Sequence, residues 1–184
     1  MVSEGCAGLL SFGMAGGLDP GLDPGAVVVP DAVIAPGGGR FEADKAWRER
    51  LRAALRQTME VSAAPLVGSD TLVPSPEAKR SLNRDTDAVA VDMESHAVAL
   101  AAHDGGVPFL ALRVIADPAV RAVPEWILRG VGAEGAPRPG RLLAGLLFRP
   151  WDVGVIIGLA GDSKKALRVL RRVALLAGPR FGFG

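Results

Sequence analysis

Apolar positions along the chain change their period repeatedly, and each change predicts an element. The run "CAGLLSFGM" is nearly unbroken and reads as a buried strand feeding a glycine turn within "SFGMAGGLDPG". "GAVVVPDAVIAPGGG" follows as short strands interrupted by Pro30, Pro36 and three glycines. Between Ala43 and Met59 the period becomes helical: Trp47, Leu51, Ala54, Leu55 and Thr58 share one side, with Arg48, Glu49, Arg52 and Arg56 on the other. "APLVGSDTLVPSP" returns to a strand pattern that ends in a proline-punctuated loop, and "EAKRSLNRDT" predicts a short helix.

The most regular section is "DAVAVDMESHAVALAAHDGGVPFLALRVIADP". An apolar strand leads into a helix from Met93 to His103, Gly105 and Gly106 stop it, and a second strand, "VPFLALRVIA", follows. This predicts a βαβ unit with two parallel strands and a right-handed crossover. Residues 118–150 are rich in Pro and Gly and predict a loop or lid. A basic helix is expected over 162–177, with Lys164, Arg168, Arg171 and Arg172 on one face and Leu167, Leu170, Ala174 and Ala177 on the other. No repeat and no domain boundary interrupts the pattern, so residues 1–184 are expected to form a single α/β domain.

Composition narrows the functional classes. A chain of 184 residues, about half of them apolar, can bury a sizeable core. The longest membrane candidate, "VGVIIGLA", is far shorter than the roughly 18 residues a span needs, and reads as part of a buried or interfacial helix. "MVSEGC" has no signal-peptide pattern and Cys6 has no disulfide partner, which favours a cytoplasmic setting. Charge is uneven: residues 1–120 carry 10 Lys and Arg against 16 Asp and Glu, and residues 121–184 carry 11 against 4. The basic end suits either an anionic lipid surface or an ordinary solvated face. Nucleic acid is not expected, because Tyr is absent and no stretch interleaves aromatic with basic residues. His96 and His103 stand seven apart on the expected helix and form no metal set; both read as structural.

Glycines invite a phosphate-loop reading of Ser11–Gly21, but the motifs fail. A dinucleotide fingerprint from Gly13 needs glycine where Ala15 stands, and a P-loop needs Lys where Leu18 and Asp19 follow. What remains is a strand end where Gly13, Gly16 and Gly17 either expose backbone N–H groups to a ligand or form a plain tight turn. In a parallel sheet, ligand sites gather at the carboxyl ends of strands, where Asp92, Met93, Glu94 and Asp117 would arrive. Such carboxylates can donate a proton or bind sugar hydroxyls; equally, Asp92 or Glu94 can complement a helix N-terminus and Asp117 can start a turn with Pro118.

"SFGMAGGLDP" and "VAVDMESHAVALAAHDGGVPFLALRVIAD", in this order, resemble the nucleoside phosphorylase and nucleosidase superfamily, which includes purine nucleoside phosphorylase and methylthioadenosine/S-adenosylhomocysteine nucleosidase. The likeness covers most of residues 7–118 and is nearest to the hopanoid-associated phosphorylase branch. It implies a three-layer α/β/α fold around a mixed, largely parallel sheet, with the family's first strand absent. It also implies cleavage of the N-glycosidic bond of an adenine nucleoside, with adenine release from adenosylhopane as the finer expectation. Residue by residue, Glu94 would bind ribose hydroxyls, Met93 would pack on the sugar, and Asp117 would be the general acid at purine N7. Leu72 and Val73 would line the base pocket, the Ala15, Gly16 and Gly17 backbone would lie near the ribose, and Gly13 and Met14 would mark the phosphate or water site. Met14 replaces the Ser or Thr hydroxyl common there, which leaves water and phosphate both open as nucleophile. The resemblance further implies no cofactor beyond phosphate as a possible co-substrate, no metal, a homo-oligomer, and a nucleoside that can be lipid-linked, with peripheral membrane contact through the basic tail. A nucleoside-binding or scaffold protein of the same fold is the alternative.

Overall fold

Along Phe109–Asp117 every residue up to Ile115 is buried, which requires cover on both faces of the strand. The computed structural model describes residues 5–122 and 153–184, and it supplies that cover. Strands β1 (Leu9–Gly17), β2 (Val27–Val28), β3 (Ala32–Ile34), β4 (Arg40–Glu42), β5 (Val61–Ser62), β6 (Leu66–Gly68), β7 (Ala90–Asp92) and β8 (Phe109–Asp117) form one sheet of order β4-β3-β6-β7-β1-β8-β2-β5. Helices α1 (Lys45–Arg56), α2 (Pro76–Thr86), α3 (Ser95–Asp104) and α4 (Val153–Ala177) complete the described elements. Leu110, Leu112 and Val114 pack with Trp47, Leu51 and Leu55 of α1 and Ala166, Leu170 and Val173 of α4. Phe109, Ala111 and Ile115 face the opposite way, into a cluster with Ala99 and Ala102 of α3. The fold is therefore three-layered, as expected, and the sheet is mixed: β1–β8, β2–β5, β3–β6 and β6–β7 are parallel, whereas β1–β7, β2–β8 and β3–β4 are antiparallel.

Capping explains where the first two helices start. Asp44 accepts a hydrogen bond from the Trp47 N–H at 2.7 Å, and Ser75 accepts one from the Ala78 N–H at 3.1 Å with Pro76 just behind it. Asp87 ends α2 in the left-handed region, with φ 55°.

Four expectations are corrected. First, the strand expected to give way to a turn after Met14 continues: Ala15–Gly17 is still β1, none of Gly13, Gly16 and Gly17 has a left-handed φ, and the turn begins only at Asp19. Glycine permits turns but does not compel them, and pairing with β8 keeps this stretch extended. Second, the strands flanking α3 are not a parallel βαβ pair. β1 lies between them, parallel to β8 and antiparallel to β7. A strand–helix–strand pattern gives the elements but carries no information on the direction in which a three-residue strand such as β7 is entered. Third, the basic helix begins at Val153 rather than at 162, because "VGVIIGLA" forms its first turns. Its buried stripe is Ala166, Leu170 and Val173, leaving Leu167 exposed. Fourth, α1 buries Arg52 while Ala54 and Thr58 face solvent. The Pro/Gly-rich loop expected over 118–150 lies, from residue 123 onward, outside the described residues.

Leu112 has no solvent exposure and sits where α1, α4 and β8 meet. Leu112→Ala is expected to lower unfolding free energy by about 2–5 kcal/mol in urea denaturation, through lost transfer energy and an unfilled cavity.

Candidate active site

A single charge inside an apolar strand must find partners, and Arg113 of β8 does. It is 3% exposed. Its Nε donates to Oδ2 of Asp92, and its Nη2 donates to Ser11 Oγ at 2.7 Å and Ser95 Oγ at 2.9 Å. Asp92 is equally enclosed; its Oδ1 accepts the Ser95 and Glu94 backbone N–H groups at 3.0 and 3.3 Å, so it also caps the start of α3. Gly13 lies under this guanidinium: a Cβ there would stand 2.6 Å from Arg113 Nη1. Its missing side chain is thus room for Arg113. Asp92 borders the cavity described next, but both its oxygens are engaged by Arg113, Ser95 and the N–H groups that open α3, so helix complementation is the role its side chain shows.

Just beyond this cluster the strands open into a cavity of 270 Å³. β1 contributes Met14, Ala15 and Gly16, the loop after β6 contributes Thr71, Leu72 and Val73, β7 and its exit contribute Val91 to Glu94, and β8 contributes Ala116 and Asp117. Eight of the residues singled out from sequence therefore share one wall: Met14, Ala15, Gly16, Leu72, Val73, Met93, Glu94 and Asp117. Gly13 and Gly17 do not line it; a Cβ on Gly17 would meet Ile115 Cγ2 at 3.3 Å, on the far side. Larger clefts of 980, 630 and 490 Å³ lie elsewhere, around Arg56, Lys165 and Arg172, around Phe41 and His103, and around Pro36, Asp70 and Leu82. None of them contains Glu94 or Asp117.

The convergence has a local cause. In the β1–β8 ladder Ala15 faces Ile115 but Gly16 faces Asp117, so Ala116 is an extra residue. Such a bulge bends a strand and re-aims the side chain that follows. Antiparallel β7 then brings Met93 and Glu94 back alongside the same end of β1. Glu94 is exposed, with Oε2 at 3.8 Å from Arg113 Nη2, so one of its oxygens is oriented by charge while the carboxylate stays open to a ligand. Met14, Leu72 and Met93 expose apolar surface around the opening.

Asp117 is the distinctive group. Its Oδ2 accepts from Lys79 Nζ, and its Oδ1 is buried and accepts no hydrogen bond among the described residues. Burial pushes its carboxyl above the usual aspartate range, against the opposing pull of the Lys79 ammonium and the more distant Arg121. A carboxyl whose proton affinity burial raises, beside an open carboxylate, suits general acid chemistry paired with hydroxyl binding. Arg113 and Lys79 were not singled out from the sequence. A charge within "LALRVIA" is a signal that could have found the first; Lys79, among the polar residues of α2, gives none. Among the described residues no group of three or more His, Cys, Asp or Glu could hold a metal ion. His96 leans on Gly68 and lies 3.2 Å from Asp70.

Removing one partner of the buried pair leaves the other charge uncompensated. Asp92→Asn is expected to cost about 3–5 kcal/mol in equilibrium unfolding, with much of the loss recovered in the double variant Asp92→Leu/Arg113→Met.

The model of the phosphorylase superfamily matches residues 1–147. Among curated proteins, the 5′-methylthioadenosine/S-adenosylhomocysteine nucleosidase of Marinomonas sp. (strain MWYL1) is 32% identical over 138 residues, covering 64% of this chain. The chain spans 59% of the length of that relative. Among solved structures, the nucleosidase of the same name from Neisseria meningitidis, in complex with methylthio-immucillin-A, superposes with a TM-score of 0.67 at 20% identity, over 93% of this chain and 68% of the other. The native futalosine hydrolase of Helicobacter pylori strain 26695 gives 0.57 at 24% identity, over 61% and 58%. With the family model covering most of the sequence, and the three-layer fold and its cavity in place, the chain belongs to the phosphorylase superfamily.

Proposed function

We infer that this chain cleaves the N-glycosidic bond of a purine nucleoside, with adenine as the leaving base. The observation that carries the reading is the cavity that exposed Glu94 and the largely enclosed Asp117, its proton affinity raised by burial, both line. The relatives are named for nucleoside cleavage, and this supports the same reaction class here. Glu94 would accept hydrogen bonds from ribose hydroxyls, with Met93 against the sugar and Leu72 and Val73 against the base. As the bond to C1′ breaks, its electron pair leaves with the base, and the proton of Asp117 passes to the base nitrogen. Water or phosphate then bonds to C1′. An acid at the base and a carboxylate at the sugar oppose charge at both places where it develops.

Ala15 and Gly16 would floor the ribose, and the side of the cavity near Met14 would admit the nucleophile. Met14 offers no hydroxyl to hold phosphate, which favours water. Adenine release from adenosylhopane is the finer reading. It rests on the likeness of the sequence to the hopanoid-associated branch and on α4, whose Lys164, Arg168, Arg171 and Arg172 are exposed and suited to an anionic lipid surface. Among the described residues no helix is long and apolar enough to cross a membrane. The second reading is a nucleoside-binding protein that turns over little, and the apolar Met14 side chain at the nucleophile's position is what favours it.

Incubation with adenosine and 5′-substituted adenosines, with and without phosphate, followed by assay of free adenine, separates these readings. Asp117→Asn is expected to lower kcat/KM about 10²–10⁴-fold, the range of general acid catalysis. Because the protonated carboxyl is the working form, kcat/KM should stay level below the pKa of Asp117 and fall as pH rises through it. Release of adenine at the same rate by Asp117→Asn would remove Asp117 from the mechanism. Nucleoside binding that raises Tm without any adenine would favour the binding protein.

A further inference from the structure

Lys79 has no solvent-exposed surface, yet nothing in the cleavage reaction as described uses it. A fully buried ammonium persists only where its hydrogen bonds and charge are met. Here Nζ donates to Asp117 Oδ2 and to the Pro118 carbonyl at 3.0 Å, bridging the last residue of β8 and the bend after it. Lys79 does not line the cavity and reaches Asp117 from behind its wall. It sits in the first turns of α2, whose cap Ser75 follows closely on the cavity residues Leu72 and Val73. One short segment therefore both lines the cavity and grips the carboxyl.

We propose that Lys79 is a positioning residue for Asp117: its ammonium holds Oδ2, fixes the orientation of the carboxyl at the cavity and opposes too firm a hold on its proton. This rests on the glycosidic-cleavage reading for its chemical purpose. The physical argument has two parts. Orientation comes first, since a carboxyl tied at one oxygen and at the end of a bulged strand cannot rotate to exchange its oxygens freely. Oδ1 is buried and accepts no hydrogen bond among the described residues, so among them Lys79 is the one side chain that fixes which way the carboxyl faces. Proton affinity is the second part. Burial alone would make the carboxyl hold its proton too firmly, and the adjacent ammonium opposes that. Once the proton has moved to the base, the carboxylate left behind faces Lys79 instead of standing alone. The other charges near this pair are Arg121, after β8, and Asp162 of α4; they pair with each other and act on Asp117 in opposite directions.

The test uses the full chain with aspartate labelled by ¹³C at the carboxyl carbon, the Asp117 signal being assigned by its loss in Asp117→Asn. In Lys79→Met the Asp117 midpoint is expected to rise by about 1–3 pH units, the shift an adjacent opposite charge produces, while Lys79→Arg stays near the starting value. In turnover, the high-pH limb of kcat/KM should move upward with the midpoint. A midpoint and limb unchanged in folded Lys79→Met overturn the proposal, because a merely structural lysine would alter stability and not proton affinity. Should Lys79→Met fail to fold, the unaltered chain still decides: the ¹⁵N signal of Lys79 Nζ should inflect at the Asp117 midpoint, and the absence of that inflection overturns the pairing. If the unaltered chain releases no adenine, the cleavage reading fails by itself, and the ¹³C midpoints still judge Lys79.

Discussion

The buried guanidinium of Arg113 is the constraint on which the rest of the site depends. It lies across Gly13 of β1, binds Asp92 at the end of β7, holds Ser11 of β1 and Ser95 of α3, and belongs itself to β8. Three strands and a helix are thus registered against one side chain. A charge placed so deep tolerates little change around it, because any shift that loses a partner leaves it desolvated and unpaired. The carboxylate of Glu94, two residues beyond Asp92, inherits its place from this arrangement, and so does the side of the cavity that Met93 forms.

The opposite side of the cavity depends on a second buried cation. Lys79 ties α2 to the end of β8, much as Arg113 ties β7 to its middle. The two carboxylates that face the cavity therefore differ in kind. Glu94 is exposed and only loosely approached by Arg113, so it can exchange water for a ligand's hydroxyls at little cost. Asp117 is enclosed and held. Burial raises the proton affinity of the enclosed carboxyl, whereas the open one keeps oxygens within reach of solvent, so two acidic residues on one cavity are suited to different work.

Much of this was legible in the sequence, for definite reasons. The apolar run of β8 and the amphipathic face of α1 follow from burial, which leaves a periodic trace. The residues that share the cavity were found because strand ends gather loops and because two motifs resemble a known superfamily. What burial does not record was missed. The direction of β7 is absent from any hydropathy pattern, since a strand reads the same from either end. A turn was expected straight after Met14, where the strand in fact runs on to Gly17, because glycine removes a steric limit without imposing a shape. Leu167 and Arg52 exchanged faces with their neighbours because long helices tolerate a modest rotation at little cost in apolar area. Lys79 was invisible for a different reason: in "PEAKRSLNRDT" it is one polar residue among many, and only the fold shows that it points inward.

The placement of β1 has a consequence for how the chain reaches this structure. β1 pairs along its length with residues about a hundred positions later, and the layer over that face of the sheet is completed only by α4. During synthesis the apolar segment Leu9–Gly17 emerges about a hundred residues ahead of its principal partner. Non-local pairing of this kind slows folding, and an unpaired apolar strand is prone to wrong partners while it waits. The segment that anchors the finished site is therefore also the one most in need of protection on the ribosome.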